Sequence, residues 1–388
     1  MRAGLSLLLL PVLLAPLVLR AGPVRAAAEV ELHVDPERGK DDGTGTSRRP
    51  FATISGALAA LPEPLAESVT VRLSAGFHER AGARSHDGAL VLAHRMRPGV
   101  SVRLVGPDGE TPAALDWTSD RLVEASEGSW ILERLRLGTY EKRQKRGVQV
   151  RGPARVVLDD VTFRLRSDSD VAVRAEDGGR VSLRGAIRVN EDLADEAPAG
   201  SYSGFLAVDH GIIEFDEREG ASLEMGNGSL RARFYGRIRL GCESARITCW
   251  TQSNNLSIAN SGRIDLANTP TTLVAKLPSN TPIGLEHDGH VLAEDTRVVL
   301  VGPNESAIAL QKASTFTCND LKLVGEFGTA LWASSGSMFV GRFLSDVPRL
   351  EARTGASILV EKVDGEVGEV VVESGGLITL PGRVVRSE

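Results

Sequence analysis

The densest run of groups able to handle a charged ligand is residues 133–151, ERLRLGTYEKRQKRGVQVR. It sets Arg134, Arg136, Tyr140, Lys142, Arg143, Lys145 and Arg146 in one turn and its flanks. Arginine suits a carboxylate because its planar guanidinium donates two parallel hydrogen bonds to the two oxygens. Tyr140 offers a ring face on which a sugar can stack. These seven residues form the candidate substrate-binding set, with a solvated charged loop as the plain alternative. A second pattern is the arginine that follows a turn at Arg155, Arg180, Arg237, Arg263 and Arg297. If those turns stack in register they form a basic stripe suited to an elongated acidic polymer. The competing reading is charge that guards strand edges.

Catalytic residues are not assignable from the sequence. Asp159-Asp160 and Asp209-His210-Gly211 supply carboxylates for general acid–base work, but neighbours on a strand point to opposite faces. His78, His86 and His94 lie at irregular spacing, and neither they nor the cysteines spell a metal site, so no metal and no cofactor is expected. No nucleophile elbow, P-loop or dinucleotide fingerprint occurs.

What must position these groups is a repeat. After residue 150 a phrase recurs: turn, arginine, aliphatic, variable residue, leucine. It reads Arg155-Val156-Val157-Leu158, Gly179-Arg180-Val181-Ser182-Leu183, Gly236-Arg237-Ile238-Arg239-Leu240, Gly262-Arg263-Ile264-Asp265-Leu266 and Thr296-Arg297-Val298-Val299-Leu300. Gly211-Ile212-Ile213-Glu214-Phe215 and Gly376-Leu377-Ile378-Thr379-Leu380 are versions without arginine. Neighbours are mostly about 25 to 34 residues apart, the spacing of a solenoid. Alternation with period two leaves each repeat with one wet apolar face, which stacking the next repeat buries. About twelve coils at about 4.8 Å each would make a rod some 55–60 Å long. Helical periodicity is confined to residues 51–61, which argues against an α/β or barrel fold. No blade-like period of a β-propeller is found.

The repeat is preceded by residues 30–61, VELHVDPERGKDDGTGTSRRPFATISGALAAL: a short alternating strand, a loop rich in Asp and Gly, and an amphipathic run ended by Pro62. The pattern Val34-Asp35-Pro36, Gly39, Asp41, Gly43-Thr44, Pro50-Phe51-Ala52-Thr53-Ile54 and Ala57-Leu58 resembles the entry segment of secreted right-handed parallel β-helix proteins, the pectin-lyase-like fold. The resemblance implies an all-β, single-stranded right-handed parallel β-helix whose short N-terminal helix caps the open apolar end. It also implies polysaccharide as the ligand class. Lyases of this family use cations to neutralise a uronate carboxylate and a Lys or Arg to take a proton, often with calcium. No Asp cluster beside the cations of residues 133–151 matches that calcium site, so calcium enters only if the chain is a lyase. The hydrolase branch's Asp-Asp and Gly-His-Gly elements are only echoed, since Asp209 stands where a glycine is required.

Residues 1–28 read as a signal peptide: Arg2, an apolar run over residues 5–19, and Ala26-Ala27-Ala28 as the cleavage site. That run is too short and proline-broken to span a bilayer, and none follows. The chain is therefore expected to be secreted, periplasmic or at the cell surface. Expected organisation is residues 29–68 as strand, loop and capping helix, and 69–388 as the β-helix. A net charge of -6 gives no reason to expect nucleic acid. With Cys242, Cys249 and Cys318, an odd number, at least one thiol stays unpaired, and a Cys242–Cys249 disulfide and plain burial are equally open. The composite expectation is an exported, non-catalytic module that binds an acidic polysaccharide or cell-surface glycan. The alternative is a carbohydrate-active enzyme on an acidic polysaccharide, a lyase before a hydrolase.

Overall fold

The computed structural model describes residues 30–40, 42–78, 89–117, 120–140, 146–165, 167–193, 201–216, 219–250, 254–266 and 268–387. The expected signal segment, His86 and residues 141–145 lie outside them. The chain winds as a parallel β-helix with three faces; most coils place one strand on each, while His290–Val301 and Thr315–Val324 each run through the corner and serve both the first and the second. Ser129–Glu133, Leu135–Leu137 and Arg146–Arg151 make one coil, and Arg155–Asp159 begins the next directly above the first of them. The third face is a single sheet of twelve strands, from Leu90–Leu92 to Val367–Val372, every pair parallel.

The repeated phrase works because its apolar residues fall in columns. On the first face Trp130, Val156, Val181, Ile213, Ile238, Ile264, Val291, Phe316 and Phe339 stack rung upon rung, and all are buried. On the third face Leu90, Val123, Val148, Val173, Phe205, Leu230, Leu256 and Ile283 do the same. Buried asparagines hold carbonyls at the corner between the second and third faces. Asn190 donates to Leu165 O and accepts from its N–H, and Asn255 donates to Ile247 O and Val274 O. These asparagines satisfy backbone groups that a turn would otherwise strand inside.

The β-helix begins earlier than residue 69. Val30–Val34 is already a rung, parallel to Val69–Leu73 and in register with it. The loop that follows covers the outer edge of this strand: His33 N donates to Gly45 O (2.7 Å), and Phe51 N to His33 O (2.9 Å). The helix is Ile54–Ala59, capped by Thr53, whose hydroxyl accepts from Gly56 N at 3.0 Å. Ile54, Ala57 and Leu58 are buried against the first coil. At the other end the strand Arg383–Arg386 folds back antiparallel on Leu377–Leu380.

Glycine after the turn is a matter of space. A Cβ at Gly236 would lie 2.1 Å from Ala207 O of the preceding coil, and one at Gly211 2.0 Å from Ala175 O. Backbone approaches backbone there, so no side chain fits.

Candidate functional site

The second face and the corner leading into it present two residues of the cationic stretch, Arg136 and Arg134. Leu135–Leu137, Thr162–Phe163 and Ala186–Val189 are consecutive rungs. Period two buries Leu137, Phe163 and Val189 and turns Arg136, Thr162 and Arg188 outward in one column. Arg136 and Arg188 thus stand two rungs apart, about 10 Å, with Thr162 between. The corner into this face is one residue wide and left-handed: Arg134 and Asp160 both sit at φ 52°. The corresponding corner residues of neighbouring coils include Gly106 and Gly185, and Gly185 lies so close that an added Cβ would be 2.3 Å from Asp160 Oδ1.

These elements enclose an open cleft of about 470 Å³. Arg134, Arg136, Arg164 and Arg188 supply its cations, and Asp160, Glu191 and Glu110 its carboxylates. Most of the charge is already engaged. Arg134 pairs with Glu133 and with Asp108 (3.2 Å). Arg164 lies 4.0 Å from Glu191 and 3.7 Å from Asp192. Asp160 accepts from Ala186 N at 2.8 Å. Arg136 and Arg188 form no ion pair among the described residues. The Arg136 guanidinium rests over the Phe77 ring, 5.4 Å from its centre, a favourable cation–π contact. Burial pushes the Glu191 carboxyl up, with Asp192 adding to the rise and Arg164 and Arg188 opposing it. Its Oε2 is buried without a hydrogen-bond partner among the described residues.

The seven candidate residues do not all meet. Arg134 and Arg136 line the cleft. Tyr140 reaches its edge by donating to Asp192; burial and that carboxylate raise its pKa. Lys142, Arg143 and Lys145 lie outside the described residues. Arg146 is on the third face, where its Nη1 donates to Gln149 Oε1 (2.8 Å). Gln149 in turn donates to Glu176, which also takes Arg174 at 2.6 Å and Arg151 at 3.6 Å. Burial lowers the Arg146 pKa, aided by Arg174 and Arg121. The reading of the sequence missed Arg164, Arg188 and Glu191 as partners of Arg136. They come from the two following coils, and only rung register brings them together.

The arginine stripe is real for four of its five members. Arg155 stacks on Arg180, then Ile212 interrupts, then Arg237 stacks on Arg263. Arg297 departs from it: His290 takes the next place in the column, and Arg297 sits opposite Asp320 on the second face. The strand His290–Val301 runs through the corner, so its second half repeats the phrase on another face. Asp159 and Asp160 are not strand neighbours, since the strand ends at Asp159 and Asp160 turns the left-handed corner.

Cys242, Cys249 and Cys318 are buried and none is in a disulfide, which removes the Cys242–Cys249 bridge. Burial raises the Cys242 thiol to about 11 and the Cys318 thiol to about 12. His78 is buried, with Nε2 3.0 Å from Ser74 O, and His94 meets Trp130 edge-on at 6.0 Å. Among the described residues no three His, Cys, Asp or Glu side chains converge as metal ligands would, and no helix is long and apolar enough to cross a membrane. No family model, curated protein or solved structure matches the chain.

Proposed function

We propose that the protein is an exported β-helix module that binds an acidic glycan in the second-face cleft without transforming it. The observation that carries this reading is the pair Arg136 and Arg188. Two outward guanidiniums two rungs apart, neither in an ion pair among the described residues, suit carboxylates repeated along an extended chain. Thr162 between them offers a hydroxyl for a sugar oxygen. The cleft is open, as passage of a polymer requires, and Tyr140 stands at its edge.

The test is retention on immobilised polygalacturonate at low salt. Replacing Arg136 and Arg188 together by Ala should weaken retention by tenfold or more with only a small fall in melting temperature, because Arg188 is exposed and the half-buried Arg136 loses chiefly its contact with Phe77. Wild-type binding should weaken with added salt, as exposed charges are screened beyond about 8 Å at physiological ionic strength. Unaltered retention by the double variant would remove the cleft from consideration.

One observation favours the enzymatic alternative. Glu191, raised by burial and carrying an unpartnered oxygen, is the carboxyl best kept protonated for acid catalysis beside this cleft. Release of ultraviolet-absorbing unsaturated uronides by the wild type, abolished in Glu191→Gln, would replace the binding reading with a lyase.

A further inference from the structure

The corner between the third and first faces is built from two-residue turns, both residues left-handed. Successive coils place there Asp209-His210, Phe234-Tyr235, Asn260-Ser261 and His287-Asp288, at φ between 48° and 64°. Hydrogen bonds along the ridge lock them in register: His210 N to Phe234 O (3.2 Å), Tyr235 N to Asn260 O (3.3 Å) and Ser261 N to His287 O (3.0 Å). Gly, Asn and Asp occupy this conformation at least cost. Two adjacent bulky aromatics do so at a cost in stability, and strain of that kind gathers where a site is built.

Burial does not explain these aromatics. Phe234 is 48% and Tyr235 58% exposed, in a chain with only three tyrosines. The Tyr235 ring is nevertheless held, stacked on His210 with centroids 5.2 Å apart and planes 16° from parallel. Two residues further on the ridge becomes cationic. Arg237 and Arg263 are exposed on adjacent rungs, and the nearest carboxylate paired with Arg263 is Asp265, at 4.0 Å.

We propose that Phe234 and Tyr235, with Arg237 and Arg263 beside them, form a second glycan site that stacks a pyranose ring and pairs with the carboxylate of a uronic-acid chain. Sugar C–H bonds lie on the face of a pyranose and suit an aromatic ring, while its hydroxyls suit the exposed carboxylates of Asp209 and Asp288. Two arginines set among exposed carboxylates fall short of the continuous positively charged groove that tracks a nucleic-acid backbone, which separates this ridge from the basic, aromatic grooves that hold single strands. A ridge one turn wide is also far narrower than the roughly 1,000 Å² a specific protein partner buries. The site shares no residue with the cleft and does not depend on it.

The test exploits the strain. Phe234→Asn with Tyr235→Gly installs residue types that the same ridge uses in other coils, asparagine at Asn260 and glycine at Gly178, Gly336, Gly355 and Gly375, so the fold should persist and the melting temperature hold or rise. Affinity electrophoresis in polygalacturonate should show roughly tenfold weaker retardation, the loss expected for an aromatic contact. Arg237→Ser with Arg263→Ser should weaken it as well and reduce its salt dependence. On a background of Arg136→Ala and Arg188→Ala, the residual retardation should disappear when the ridge is also changed. Retardation of the ridge variant equal to wild type overturns the proposal whatever the cleft variant does. So does a wild type that takes up oligothymidylate in preference to polygalacturonate, or one that binds neither. Loss in the ridge variant alone leaves this site standing and removes the cleft.

Discussion

Arg134 and Asp160 show how single residues shape the cleft. Each occupies a corner where the backbone is left-handed, a conformation that costs a non-glycine residue about 1–2 kcal/mol. In return Arg134 is pinned between Glu133, Asp108 and the Gly106 carbonyl, and Asp160 anchors the next corner through Ala186 N. Glu191 is the residue whose charge is least well served. Its folded-state pKa is raised above the ordinary 4.5, chiefly by burial, so the unfolded chain releases the proton more readily. The sign follows: this group favours folding while protonated, below about pH 4.5, and the benefit is lost as pH rises through the folded value. Glu191→Gln should therefore stabilise the protein at pH 7, and the difference from wild type should shrink as pH falls toward 4.5. Chemical denaturation of both proteins at several pH values checks this; a difference that grows on acidification would show that Glu191 is instead held by an ion pair.

At the scale of the element, the stacked turn is the unit that the sequence exposes most clearly. Glycines 211, 236 and 262 recur because each coil's turn touches a carbonyl of the coil below. Gly236→Ala should cost about 1–3 kcal/mol, as overpacking against unyielding backbone does. Gly178→Ala has nothing within 4 Å of the new Cβ and meets only the strain of φ 81°. Melting curves of the two variants should separate clash from strain, and equal curves would deny the clash. Such phrases made the columns legible, because Val156, Val181, Ile213, Ile238 and Ile264 had to share one buried face. Arg297 was misassigned because the same alternation serves two faces, and nothing local marks the strand that passes through a corner. The cleft was half legible for the same reason. Arg134 and Arg136 stood out as a charge run, whereas Arg164, Arg188 and Glu191 join them only through register across coils. The arginine of residue 146 looked like their neighbour in sequence, but one turn carries it to a different face.

A solenoid differs from a globular domain in having two ends that its own repeat cannot finish, and each exposes a strand edge able to pair with another chain. The C-terminal end is closed by the antiparallel strand Arg383–Arg386, with Glu366, Glu369 and Glu373 charged along the last rung of the third face. The N-terminal end uses a linked device. The loop lays Gly45 and Phe51 along the edge of Val30–Val34, and the helix that follows at once plugs the apolar interior with Ile54, Ala57 and Leu58. Asp35 fastens the loop: burial alone would raise its carboxyl, but hydrogen bonds from Arg38 and Glu37 outweigh that and hold it below the usual range. Loop and helix are joined through Phe51 and Thr53, so unseating the helix should also free the edge. Ile54 is 1% exposed, and Ile54→Asp both deletes a buried aliphatic side chain and buries a charge. The expected cost is about 4 kcal/mol, with Ile54→Ala costing about 2–3 through its cavity alone. Only the aspartate variant should also self-associate, because only it drives the helix off the end of the coil and uncovers the edge of Val30–Val34. Thermal unfolding with size-exclusion chromatography at several concentrations reads both effects. A monomeric Ile54→Asp protein with an unchanged melting temperature would mean that the helix closes nothing.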